Sequence, residues 1–161
     1  MSKINIGKAW PLGSSITGKG VNFSVAAPNA ERVELLIFKN ENDEKPKNVI
    51  CLDHKHRSGD YWHIEIEGLK EGCLYCYRVI NQSCEGENYK TSNNILLDPC
   101  ARAITGWTNY KRFTSGEDNY NYINLLKGVV CERDYFKFDS HPRPRKSWSK
   151  TIIYELHVGG F

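Results

Sequence analysis

Between residues 20 and 98 one pattern repeats: a short β-branched or aromatic run, then a polar turn holding Gly, Pro, Asn or Asp. The runs are too short for helices, and no apolar period of 3.6 residues spans the interval. Val21, Phe23, Val25 and Ala27 alternate with Asn22 and Ser24, and Pro28-Asn29 ends that strand by removing a donor and favouring a turn. Residues 32–39 (RVELLIFK) are apolar on both parities in their second half, as a central strand would be; residues 40–47 are a charged loop and 49–53 a short strand. Ser58-Gly59-Asp60 turns into residues 61–67 (YWHIEIE), whose alternation sets Trp62 with Ile64 and Ile66 on the core face and Tyr61, His63 and Glu65 on an exposed one. Gly68 and Gly72 bracket a turn into residues 74–80, residues 81–94 (NQSCEGENYKTSNN) read as a long polar loop, and residues 95–104 close the set. Short strands at roughly ten-residue spacing without helices predict an all-β, immunoglobulin-like antiparallel β-sandwich over residues 1–105.

After Gly106 the pattern loosens, and residues 139–150 (DSHPRPRKSWSK) contain prolines that block a helix and favour an extended path, so residues 106–150 read as a C-terminal linker. Residues 151–161 (TIIYELHVGGF) form an apolar run with little polarity on either parity. Strands apolar on both faces belong to buried, usually parallel sheets, whose neighbours arrive after crossover helices. The expectation is a truncated strand of a further domain, and a chain that is the front end of a longer protein.

Of 161 residues, 40% are apolar and 12% aromatic, enough for a real core. The 22 basic and 19 acidic side chains give a net charge of only +3, interspersed, which argues against nucleic acid or a membrane as partner and favours a neutral one. The first ten residues lack a signal-like apolar stretch, so a cytoplasmic protein with reduced cysteines is expected. Cys73 and Cys76 form a C-x-x-C on a strand-like segment, where positions three apart point to opposite faces, and no second pair stands at zinc-site spacing; neither a metal nor a cofactor is expected.

Pro11-Leu-Gly13, Gly20-Val-Asn-Phe23, Ala27-Pro-Asn-Ala30 and Val33-Glu-Leu35 resemble the opening sandwich of isoamylase-type glycogen-debranching enzymes, a carbohydrate-binding module of family 48. Leu96-Leu-Asp-Pro99 with Ala101-Arg-Ala-Ile104 resembles that module's exit motif. Arg143-Pro-Arg145 with Ile153-Tyr-Glu-Leu-His-Val158 resembles the lead into strand one of a catalytic barrel of the α-amylase superfamily. The resemblance implies a (β/α)₈ barrel after Phe161, supplied in cis, and hydrolysis of α-1,6 linkages in glycogen or a related α-glucan. Retaining glycosidases use two carboxyl groups about 5 Å apart, held on loops at the C-terminal ends of several barrel strands, so no catalytic residue is expected in this chain. Asp98, Glu155 and Asp139 then read as a turn, a barrel-strand position and a linker residue. Other readings are a stand-alone glycogen-binding or scaffolding module and the N-terminal module of a branching enzyme.

The resemblance also implies where a glucan would sit: Tyr89 as aromatic platform, Arg78 on the preceding strand, and Asn93 or Asn94 beyond. A second platform tryptophan expected after the strand ending at Lys39 is missing. Trp107, Trp148 and Tyr154 are expected as contacts to the barrel, since interface anchors tend to be aromatic.

Overall fold

The computed structural model describes residues 3–85, 88–111, 121–132 and 145–160, with backbone alone for 82–85, 88–93 and 158. Two antiparallel sheets face each other. In one, β1 (Ile4–Asn5) lies beside β7 (Tyr61–Glu67), followed by β3 (Gly20–Ala26) and β2 (Gly13–Ile16), with β6 (Arg57–Ser58) also on β7. In the other the order is β10 (Ala103–Thr105), β11 (Lys127–Val129), β8 (Leu74–Glu85), β4 (Arg32–Phe38) and β5 (Asn48–Leu52), with β9 (Asn88–Leu96) pairing β8.

The alternation of β3 and β7 decides what meets in the middle. Val21, Phe23 and Val25 lie opposite Ile66, Ile64 and Trp62 across the ladder, and all six are buried. From the facing sheet come Val33, Leu35, Ile37, Tyr75, Tyr77 and Val79. The Phe23 and Tyr75 rings bridge the sheets edge-on, 5.0 Å between centroids. Trp62 is a core residue, as its parity predicts, and its Nε1 donates to Ala27 O at 3.1 Å.

The second sheet is covered on its outer face too, which explains why β4 is apolar on both parities. Leu36, Phe38, Cys76, Ile95 and Leu125 form a second buried cluster, against which Leu74 and Tyr122 pack. The cover is the segment carrying the 3₁₀ turn Tyr122–Asn124. The linker expected to begin at 106 therefore starts later: β11 pairs with both β10 and β8, and Val130 is buried in the main core. This strand hides in the sequence because it is three residues long and opens on a buried lysine. Gly128 is needed there, since a Cβ would lie 2.9 Å from the Tyr75 ring.

Two further expectations are corrected. Residues 81–94 are not a loop but the two arms of a ribbon, paired from Tyr77 with Leu96 out to Glu85 with Asn88. β4 follows β8 only as far as Ile80, and the residues that continue the ribbon are mostly polar, so no alternating apolar pattern marks them as strands. His63 is not exposed: its Nδ1 lies 3.0 Å from Ile6 O and its Nε2 2.8 Å from Ser58 Oγ, beneath the N-terminal segment. As a truncated strand would, residues 151–157 join no ladder among the described residues, and Ile152, Ile153, Tyr154 and Leu156 are exposed.

Candidate functional site

The outer face of the second sheet holds a charged row. Register sets Glu34 opposite Arg78, and Arg78 opposite Ile95. Glu34, with a buried carboxylate, accepts from Arg32 Nη2 at 2.7 Å and from Arg78 Nη1 at 2.8 Å. Arg78 Nη2 donates to Tyr122 Oη at 2.6 Å. Neither Glu34 nor Tyr122 was legible as a partner of Arg78, because the contacts run across strand register and from the covering segment.

The other expected residues divide. Residue 93 lies opposite Ile80, one same-side step from the Arg78–Ile95 pair. Residue 89 lies opposite Cys84, on the same side by register but six residues along from Arg78, about 20 Å at the rise of a strand. The side chains of Tyr89 and Asn93 lie outside the described residues. Asn94 pairs with Val79, so its register places it on the other side of the sheet. The backbone thus joins Arg78 with residue 93 and separates both from Asn94.

A second constellation was half foreseen. Gly106, in the left-handed region at φ 98°, opens the 3₁₀ turn Trp107–Asn109; a Cβ at Gly106 would meet Leu125 O at 2.7 Å. Trp107 is 63% and Tyr110 41% exposed, their rings 6.0 Å apart at 74°. Asn109 Nδ2 donates to Asn42 Oδ1 at 2.8 Å, tying the turn to the loop that follows β4, the loop lacking the expected tryptophan. Thr105 Oγ1 donates to Glu41 Oε2 in the same loop.

Lys127 holds this corner from below. Fully buried, its Nζ donates to Glu41 O at 2.8 Å, Tyr122 O at 2.7 Å and Leu125 O at 3.3 Å, and lies 5.0 Å from the centre of the Phe38 ring. Desolvation lowers its pKa, and carbonyl dipoles with the ring face replace the water it loses.

Trp148 and Tyr154 are 84% and 77% exposed. Asp98 is buried, accepting from Tyr75 Oη at 2.7 Å and Cys100 N at 2.8 Å, and burial raises its pKa. It closes the turn Asp98–Ala101 and, shielded from solvent, has a structural part. Cys73 packs on the main core and Cys76 in the outer cluster, on opposite faces; burial pushes their thiols up to about 11 and about 12. Among the described residues no group of three or more His, Cys, Asp or Glu is placed to hold a metal.

Residues 11–101 match the family described as carbohydrate-binding module 48, the isoamylase N-terminal domain. The chain is 35% identical to a glycogen debranching enzyme of Salmonella typhi over 167 aligned positions, covering 99% of this chain and 24% of that protein. It is 38% identical to the glycogen debranching enzyme of Erwinia tasmaniensis with the same coverage. Among solved structures it is similar to a pullulanase from Bacillus acidopullulyticus (TM-score 0.53, 20% identity, 76% of this chain and 12% of that one). It is also similar to a multi-modular glycogen-degrading pneumococcal virulence factor (TM-score 0.51, 16% identity, 79% and 12%). These two likenesses concern the fold alone. The chain spans about a quarter of the length of the curated relatives it matches.

Proposed function

Because the chain belongs to the carbohydrate-binding module 48 family of isoamylase N-terminal domains, we propose that it is the accessory sandwich of a cytoplasmic hydrolase that cleaves α-1,6-glucosidic branch bonds in a glycogen-like α-glucan. The observation that carries this is an alignment to glycogen debranching enzymes that runs through 99% of the chain, past the sandwich and into residues 151–161. The exposed Ile152, Ile153, Tyr154 and Leu156 support it: a (β/α)₈ barrel joined in cis would use them as its first strand. The two catalytic carboxyl groups then belong to loops of that barrel, and Trp148 and Tyr154 are contacts that the barrel covers.

The test is an assay of branched glucan with the 161-residue chain and with the protein extended through whatever sequence follows Phe161. The extended protein releases linear oligosaccharides and the 161-residue chain releases none. Activity of the shorter chain, or an extended protein that leaves α-1,6 bonds intact, overturns the proposal.

A further inference from the structure

We infer that the corner formed by Trp107, Tyr110, Asn109 and Asn42 is a binding site for a curved, α-linked glucan chain, separate from the Arg78 row. The choice of sugar rests on the glycogen-directed function proposed above; the site itself rests on three observations.

The first is exposure without looseness. Two aromatic rings stand in contact at the surface, yet the turn that carries them is fixed by Asn109 N to Gly106 O at 3.3 Å, Tyr110 N to Trp107 O at 3.4 Å and Lys111 N to Asn124 O at 3.3 Å. Sugar rings present apolar C–H faces, which a rigid aromatic face meets at little entropic cost.

The second is the company the rings keep. Thr108 is exposed between the two aromatics and Asn109 is bonded to Asn42, so uncharged hydroxyl and amide groups share the turn with the rings. The Asn109–Asn42 bond uses one amide hydrogen and one carbonyl oxygen, leaving the Asn42 amino group and the Asn109 oxygen with capacity to meet sugar hydroxyls.

The third is the angle. Rings at 74° make a corner, not a shelf. A glucose chain with α-linkages turns from one ring to the next and can set successive rings on the two walls, whereas a flat β-linked chain cannot. Lys127 joins the two segments next to the turn, taking Glu41 O from the loop that carries Asn42 and Tyr122 O and Leu125 O from the segment bonded by Lys111 N.

Affinity electrophoresis of the 161-residue chain in gels containing glycogen, and separately a soluble cellulose derivative, tests this. The expected result is retardation by glycogen alone, weakened at least about tenfold in apparent Kd by Trp107→Ala with thermal unfolding unchanged, in line with the worth of one aromatic contact. Should Trp107→Ala lower the unfolding temperature, Asn42→Ala and Tyr110→Ala carry the test and each weakens retardation. An unretarded parent chain, equal retardation by the cellulose derivative, or variants that bind glycogen as the parent does overturn the site. If the extended protein still hydrolyses branched glucan under any of these results, only the site has failed; if retardation holds but hydrolysis is absent, only the debranching assignment has failed.

Discussion

Residues 61–67 and residues 151–157 look alike as sequences, both rich in Ile, Tyr and Glu and both fit to be strands, yet only the first is one. β7 has β3 along one edge and β1 and β6 on the other, so its backbone groups are paired and Trp62, Ile64 and Ile66 are buried. The later segment has the side chains without the ladder, and Ile152 is 97% exposed. A period of two says that a segment can be a strand; hydrogen-bonding neighbours decide whether it is.

That contrast can be broken most forcefully in the core. Phe23→Ala removes the ring that bridges the sheets to Tyr75 and is expected to lower stability by about 3–5 kcal/mol, measured by denaturant unfolding. A loss below about 1 kcal/mol, the range of a surface change, would erase the difference between the two regions. Glu34→Ala strands Arg78 and Arg32 on the outer face and is expected to cost about 1–3 kcal/mol, with Arg78→Met in the same background recovering part of the loss.

A smaller effect comes from pH. Burial raises the Asp98 carboxyl above its ordinary 3.8, so the native state holds the proton more tightly than the unfolded chain does. Stability therefore falls as pH rises from 3.8 through the native value and is flat above it. Asp98→Asn is expected to remove that slope; an unchanged profile would show that another group makes it. Smallest of all, Ile153→Ser in the 161-residue chain should shift stability by no more than about 0.5 kcal/mol, and amides 152–157 should exchange long before those of Trp62 and Ile64. Protection of the later segment equal to that of β7 would end the comparison, whereas protection appearing only in the extended protein would sharpen it.

The same physics separates what was legible from what was not. β3, β4, β7 and the first half of β8 lie over a core, so burial imprints alternation on them, and Trp62 could be assigned to the interior. The distal halves of β8 and β9 run past β4 and are written mostly in polar residues, which is why a paired ribbon read as a loop. His63 was misplaced because alternation reports which sheet face a residue takes, not whether another segment crosses that face. For the site, Arg78 could be named only through the family resemblance, and Glu34 and Tyr122 reach it through register and a covering segment. Trp107 was visible as an aromatic, while its pairing with Tyr110 depends on a 3₁₀ turn opened by Gly106, and the bond from Asn109 to Asn42 on two loops distant in sequence.

Among the described residues Lys127 grasps three peptide oxygens and no side-chain oxygen. A clamp of that kind is blind to residue identity at 41, 122 and 125 and sensitive to where the main chain runs. In homologous chains that keep this lysine the clamp itself sets no limit on side chains along the two segments, while insertions or deletions there become rare; a change in the length of one should come with the loss of the lysine or a matching change in the other.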